Sequence, residues 1–553
     1  MPVIPLRPAA WRVLAGSYPD PHVIDAVVGM AMFGAKIGYD GKRLGQRVAR
    51  NAASAALYPA ILEEDLDHQL HKGRLTGFGT RRDLPPFFFS SPLGLVNKTD
   101  GKMRRIHNLS FPIGGSVNDH IKAEYGTITY STIEEVVVVI QRLGRGTVLM
   151  KRDFEEAFRQ IPVAPADTPL LGFCFKENFF TERFLPFGLR TSPYLFNLFA
   201  EVFHWVLERE LGRISAFATV IHYLDDFLVL LPPGSAWEPA GACFLELAEK
   251  LGLAKKEEKN EEGSCVSFGG VEVDTARMVI RIPNTKRAKG VSLLRLYLTS
   301  NGNSLPSISL FELQQLTGFL NFIVCVVPLG RAFLRRLYNM QLFFPPGQQA
   351  RRRISAEALK DIRWWLQLLE GPGVIERQIV LPAASRTRVY VWSDAAGSKG
   401  LGGYFLRSQQ QKVTDIAAAE AFSSSLPRNI QRMKEHINTK EMRAVEQCLL
   451  HWGSRWRGMM AVLHIDNQAV VYGIHNRSIR GRTMDVLRRC LLHASRLDIE
   501  LEALWIPTKE NGLADALSRF DRKVLANIAP QLSSLFSRRT HGFRTFREPD
   551  LEG

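Results

Sequence analysis

Cysteine is scarce in this chain of 553 residues: Cys174, Cys243, Cys265, Cys325, Cys448 and Cys490 are scattered, without one C-x-x-C spacing. That argues against structural zinc and against a disulfide framework, and the apolar neighbours of each predict six buried thiols. Long apolar runs are missing as well. No stretch approaches the roughly 18 uncharged apolar residues of a spanning helix. The start, MPVIPLRPAAWRVL, also has no signal-like apolar core, so the expectation is a soluble intracellular protein, cytoplasmic or nuclear, with no membrane partner. Internal repeats and low-complexity tracts are absent, which argues against solenoids and tandem arrays.

What is present is a globular composition, 46% hydrophobic, in a chain too long for one ordinary core. Two or three domains are expected. Lysine and arginine number 71 against 55 acidic residues, a formal charge of +16. Such an excess favours a polyanionic partner, nucleic acid first and an acidic membrane surface second. Breaks in composition fall at 75–92, rich in Gly, Pro and Ser, and at FFPPGQQARRRIS, Phe343 to Ser355. A short helix, SAEALKDIRWWLQLLE, and the turn GPGVIE follow. From Arg386 the pattern RTRVYVWSDAAGSKGLGGYFL reads as strand, turn and strand, the start of a new domain.

Acidic residues at strand ends carry the chemistry. HYLDDFLVLL sets Asp225 and Asp226 between apolar runs, and neighbouring residues on a strand point to opposite faces, so the pair shares a site only if the chain turns there. On this stretch alone the solvated tip of a hairpin is the favoured account of two aspartates; the sharper account is a bound cation that offsets their repulsion. VLMKRDFEEAFRQIPVAP brings Asp153 to the end of another apolar strand, where it also reads as an N-cap. Between them, LPFGLRTSPYLFNLFAE forms a Pro-Gly loop and an apolar helix. Phosphoryl transfer unites three carboxylates, because two magnesium ions take carboxylate and phosphate oxygens rather than imidazole or thiol.

With these motifs in order, residues 85–345 resemble the polymerase region of a retroelement reverse transcriptase, of gypsy or DIRS-like type. The resemblance implies that Asp153, Asp225 and Asp226 hold the metals. SPLGLVNKTDGKMRRIHNLS matches the segment that clamps the incoming triphosphate, through Lys98 and Arg104. Phe158 falls where the family screens a ribose 2′-hydroxyl and also reads as a core aromatic, and Phe187 falls beside the nucleotide. Lys259 matches a lysine assisting pyrophosphate departure, with Lys255 and Lys256 in the same stretch. Gln314, Gly318 and Phe322 recur every four residues along one helix face, the track that follows the primer-template minor groove; Arg331, Arg335 and Arg336 add charge suited to phosphates. Plain helix packing suits Phe322 and not Gln314.

A second set follows: Asp394 in WSDAAGS, Glu441 in HINTKEMRAVEQ, Asp466 in LHIDNQAVV and Asp515 in NGLADALSR. Singly, each reads as a cap, a turn or a solvated face. In this order they resemble a retroelement ribonuclease H, whose four acids gather two metals to hydrolyse the RNA of an RNA–DNA hybrid. Where many relatives carry a loop histidine this chain has Leu504 and Trp505, in EALWIPTKENGLAD, which points to a branch rather than to inactivity.

Together the resemblances imply an α/β multidomain protein, a right-hand polymerase followed by a ribonuclease H-like α/β domain. The expected division is 1–84 an N-terminal extension without assigned function, 85–285 fingers and palm, 286–345 thumb, 346–385 linker or connection, 386–520 ribonuclease H-like domain, and 521–553 a basic tail. They also imply two Mg2+ ions per site, with Mn2+ as a substitute. The implied partners are RNA template, DNA primer, RNA–DNA hybrid, deoxynucleoside triphosphates and other retroelement proteins. No D-[ST]-G protease motif, zinc knuckle or integrase-like cluster appears. The rival reading is a catalytically silent, domesticated nucleic-acid-binding scaffold, and seven intact acids weigh against it.

Overall fold

The computed structural model describes residues 6–97, 103–298, 306–345, 350–380, 386–397, 399–432, 434–536 and 543–544. It divides into two compact units, Met1–Ile280 and Arg281–Gly553. Among the described residues no helix is long and apolar enough to cross a membrane.

In the first unit, helices α1 (Pro8–Leu14) and α2 (Pro21–Phe33) both carry proline in the first turn, where no intrahelical hydrogen bond is lost. Helices α3 (Ala53–Leu57) and α4 (Pro59–His71) follow. A five-stranded sheet runs in the order β1 (Gly45–Val48), β3 (Phe87–Ser90), β7 (Gly172–Phe175), β8 (Asn178–Glu182) and β2 (Leu75–Phe78). Strands β1 and β2 come from the segment 1–84. The segment 1–84 thus contributes strands to this sheet, and the stretch 75–92 holds β2, a single helical turn and β3. The pairing partners lie far along the chain, so local composition could not reveal them. The N-terminal helices are equally integral: Trp11 is fully buried, donates from its indole N–H to the Leu251 carbonyl at 3.0 Å, and meets Phe199 edge-on at 5.3 Å.

A hairpin of β4 (Leu93–Asn97) and β5 (Met103–His107) precedes helix α5 (Ile133–Leu143), which opens with a Thr132–Glu135 capping box. The second sheet is wholly antiparallel, ordered β11 (Lys255–Gly263), β6 (Val148–Phe154), β10 (Asp226–Leu231), β9 (Thr219–Tyr223). Helices α6 (Ser192–Ile214) and α7 (Glu238–Leu251) share its core. Phe154, Phe203, Phe227 and Phe244 pack there with ring centroids 5.1–5.9 Å apart. Short strands β12 (Cys265–Phe268), β13 (Val271–Asp274) and β14 (Val279–Arg281) follow as neighbours in a smaller sheet.

The second unit begins with α8 (Asn284–Arg295), then β15 (Ser307–Ser309), α9 (Leu310–Ile323) and α10 (Arg335–Gln341). The expected linker 346–385 contains β16 (Arg351–Arg353), which pairs with β15, then helix α11 (Ala356–Glu370) and strand β17 (Glu376–Gln378). Far from being a spacer, α11 is packed. Trp365 is fully buried, and a Cβ added to Gly330 would sit 2.2 Å from its ring, so glycine is needed for that approach. The correction has a simple cause: Ala358, Leu359, Ile362, Trp365 and Leu369 form one apolar stripe, which must be buried.

The remaining sheet is ordered β20 (Ala421–Ser425), β19 (Gly400–Leu406), β18 (Arg388–Ala396), β21 (Met460–Ile465), β22 (Glu500–Trp505). Its first three strands are antiparallel and its last three parallel. Helices α12 (Arg428–Arg432), α13 (Ile437–Trp452), α14 (Gln468–Asn476), α15 (Thr483–Arg496) and α16 (Gly512–Arg519) accompany it. The first part of the expected basic, partly ordered tail from 521 is folded. Phe520 turns the chain with φ 58°, and α17 (Arg522–Ile528) carries on. Leu525, Ala529, Leu532 and Leu535 then join the core of Leu513, Ala514, Leu517 and Tyr404. The cysteines also need correction. Cys448 and Cys490 are buried, Cys174, Cys243 and Cys325 half-buried, and Cys265, opening a short strand, is exposed.

Candidate active sites: two carboxylate clusters

The first cluster sits on the antiparallel sheet of unit 1. Phe154 and Phe227 point into the aromatic core, so strand alternation turns Asp153 and Asp226 toward the opposite face. These two are direct cross-strand partners. Asp225 joins them because β9 and β10 are connected by a two-residue loop, Leu224-Asp225, with Tyr223 opposite Asp226. Leu224 has φ 56°, a conformation that two-residue hairpins usually assign to glycine or asparagine and that strains a leucine.

Electrostatically the cluster is costly. Burial, with repulsion from Asp153, pushes Asp225 up to about 6; burial also raises Asp226, against Lys151. Asp153 is almost fully buried, and its Oδ1 has no hydrogen-bond partner among the described residues. Lysines temper the charge. Lys259 Nζ lies 2.6 Å from Asp153 Oδ2, and Lys151 Nζ lies 3.7 Å from Asp226.

A cavity of about 420 Å³ opens beside the acids, lined by Asp153, Asp225, Arg104, Phe187, Lys256 and Lys259 among others. Arg104 lies over the Phe187 ring at 5.5 Å, and Phe158 packs between Phe187 and Phe196 at 5.2 and 6.0 Å. Lys98 lies outside the described residues. Part of the cavity wall is a buried ion network that motif reading missed. Arg105 and Arg159 hold Glu182 at 2.9 and 2.7 Å. Burial alone would raise Glu182, but the two guanidinium groups outweigh it and keep it at about 2. The signal was there: a lone glutamate in the aromatic run NFFTERF requires a cationic partner.

On α9, Gln314 and Gly318 are exposed and Phe322 half-buried, while Leu313, Leu316, Thr317, Leu320 and Ile323 face the core. The three track residues thus share one outward face. A Cβ on Gly318 would meet nothing within 4 Å, and Lys286 lies 5.7 Å from the Phe322 ring.

The second cluster belongs to unit 2. Asp394 lies toward the C-terminal end of β18, the middle strand of the sheet, Asp466 follows the end of β21, and Glu441 stands on α13. Their carboxylate oxygens lie within 4.8 Å of one another. Asp515, on α16, is not part of that close group. It pairs with Arg519 at 2.6 Å, near enough to Asp394 and Glu441 to repel both. Burial, then repulsion from Asp394 and Asp466, drives Glu441 up to about 9. Asp394, buried, rises to about 6 despite accepting from the Ser518 hydroxyl. Glu441 Oε2 has no hydrogen-bond partner among the described residues.

Two asparagines missed in the sequence shape this site. Asn511 donates to the Ser393 carbonyl at 3.0 Å and is fully buried; Asn467 caps α14 and bonds Asn438 at 2.9 Å. Trp505, in the position of the absent histidine, donates to the Asp466 carbonyl at 3.2 Å.

The residues of the first cluster, on an antiparallel sheet beside a cationic and aromatic cavity, fall within a stretch that a family model covers. Residues 98–273 match the family model described as reverse transcriptase (RNA-dependent DNA polymerase). The chain carries a retroelement-type reverse transcriptase domain. It is 22% identical over 243 residues to the genome polyprotein of Petunia vein clearing virus, covering 43% of this chain and 10% of that protein. To the Gag-Pol polyprotein of Rous sarcoma virus subgroup B it is 24% identical over 192 residues, covering 34% and 11%. The chain thus spans only about a tenth of the length of these curated relatives. A foamy viral protease-reverse transcriptase solved in complex with dsDNA aligns at 14% identity and TM-score 0.45, over 90% of this chain and 97% of that one.

Proposed function

We propose that this chain is an RNA-directed DNA polymerase that copies retroelement RNA, of gypsy or DIRS-like type, and also degrades the RNA strand of RNA–DNA hybrids. The observation that carries the reading is the cross-strand pairing of Asp153 with Asp226, with Asp225 in the adjoining tight loop, inside a reverse transcriptase domain. In unit 2, the grouping of Asp394, Glu441 and Asp466 on a sheet with three antiparallel and two further parallel strands supports a ribonuclease H-like domain.

Magnesium fits both donor sets. Each offers carboxylate oxygens, each includes a buried oxygen without a partner among the described residues, and like-charge repulsion in each is relieved by a divalent cation. Asp153, Asp225 and Asp226 would hold it in the first, and Asp394, Glu441, Asp466 and Asp515 in the second, two ions per site with manganese able to substitute. When bound, such ions supply Lewis acidity for in-line displacement at phosphorus. The chain's own residues do the rest. Arg104 and Lys98 hold the triphosphate, while Phe187 packs near the nucleotide and Phe158 screens against a ribose 2′-hydroxyl. Lys259 stands ready to give a proton to the departing pyrophosphate, and Gln314, Gly318 and Phe322 follow the template-primer groove. RNA template, DNA primer and deoxynucleoside triphosphates are the substrates, and other retroelement proteins are partners in an intracellular cycle.

The test is one gel assay on purified protein: extension of a labelled DNA primer on RNA, following loss of the RNA strand as well. Asp225→Asn is expected to lose extension and keep cleavage, and Asp466→Asn the reverse. Binding of the hybrid with neither activity, in magnesium or manganese, would favour the silent scaffold instead.

A further inference from the structure

A third group of potential ligands lies on unit 1, unrelated to the carboxylate clusters. Glu201 and His204 stand three residues apart on α6 and so share a face. His222 meets them from β9, where it is buried against Phe227, the rings stacked with centroids 5.0 Å apart. His204 Nδ1 and His222 Nδ1 are 2.7 Å apart, the rings near perpendicular. Glu201 Oε1 is 3.8 Å from His222 Nε2, and one ligand atom from each of the three residues lies within 4.8 Å of the others.

We propose that Glu201, His204 and His222 form a binding site for one zinc-class divalent ion. Two imidazoles and one carboxylate match the donors such ions prefer and magnesium does not. Ligand bonds of about 2.0–2.2 Å in a tetrahedron set donor atoms roughly 3.4 Å apart, so the two imidazoles would part slightly from 2.7 Å while the carboxylate moves in. No proton need leave: both rings are neutral because burial pushes their pKa values down, and a change of tautomer presents a lone pair from each. Supporting groups are in place. Glu208 Oε2 lies 3.8 Å from His204 Nε2 and its other oxygen accepts from the Val220 N–H, while Asn197 donates to Glu201 at 3.3 Å. Carboxylates behind ligating histidines fix tautomer and ring orientation. Since β9 leads directly into the Leu224-Asp225 loop, the ion would clamp α6 to the strand that carries the hairpin.

The experiment loads the full chain with Zn2+, desalts it and counts metal, then repeats the loading with Co2+ and records its visible spectrum. Wild type and Asp225→Asn are each expected to retain one equivalent, with a cobalt spectrum free of thiolate charge transfer. His204→Gln and Glu201→Gln, the latter altering a half-exposed side chain, are expected to bind at least about tenfold more weakly with unchanged circular dichroism. Zinc retention equal in wild type and both variants, loss of zinc in Asp225→Asn, or a cobalt–thiolate band would each overturn the site.

Discussion

The two carboxylate clusters meet the same electrostatic difficulty with different means. In the first, lysines from neighbouring strands stand among the acids, Lys259 on Asp153 and Lys151 beside Asp226, and Asp225 rises only to about 6. In the second, Arg519 pairs with Asp515 outside the close trio, and buried Glu441 rises to about 9. The lesson is that one cluster is partly neutralised by its own chain, whereas the other depends on protons or added ions to be tolerable.

The strongest way to break this comparison is to remove one acid from each. Asp226→Asn should lower primer extension on the order of 10³-fold without touching RNA cleavage, and Asp466→Asn should do the converse. Loss of both activities from either variant would show that the clusters are not independent.

Metal removal sharpens it next. Glu441 binds its proton more tightly folded, at about 9, than at its ordinary 4.5, so its contribution to stability is complete below about 4.5 and is lost as pH rises through about 9. In EDTA, stability of the second unit should decline across that window, and Asp394 should add to the fall between 3.8 and about 6. Glu441→Gln should flatten the decline and raise the melting temperature at pH 8 by a few degrees, at roughly 2–4 °C for each kcal/mol. Added magnesium should stabilise wild type more at pH 8 than at pH 5. A melting temperature indifferent to pH would contradict the burial of Glu441.

Lys259→Ala should make the first cluster behave like the second. It removes a charge that lowers the Asp225 pKa, so metal-free stability should fall more steeply with rising pH, and extension should slow about tenfold, a change of ~1.4 kcal/mol. The smallest effect is expected from Trp505→Phe, which removes a hydrogen bond to the Asp466 carbonyl. At about 1 kcal/mol it should slow RNA cleavage roughly fivefold and leave extension alone.

What was legible in the sequence follows a physical pattern. Asp153, Asp225, Asp226, Asp394 and Asp466 could be found because each stands near an end of an apolar strand, whereas Glu441 and Asp515 sit within helices and were legible only through their motifs. Asp515 was legible as a motif, but its distance from the close trio was not, because the Arg519 pairing is a matter of rotamer. The buried Glu182 network escaped because Arg105, Arg159 and Glu182 are joined only by tertiary contact. The segment 1–84 escaped for the same reason: β1 and β2 are short, and their partners are distant in the chain. Helix α11 was recognised, yet what it packs against was not, since an apolar stripe demands burial without naming what covers it.

Trp11 gives this topology a clock. Its hydrogen-bond acceptor, the Leu251 carbonyl, lies 240 residues further on. At synthesis rates of about 5–20 residues per second, the indole emerges on the order of ten to fifty seconds before the group that receives it. For that interval the N-terminal helices must wait with an apolar face exposed, and nascent chains are most vulnerable to misassociation or to capture by chaperones during it.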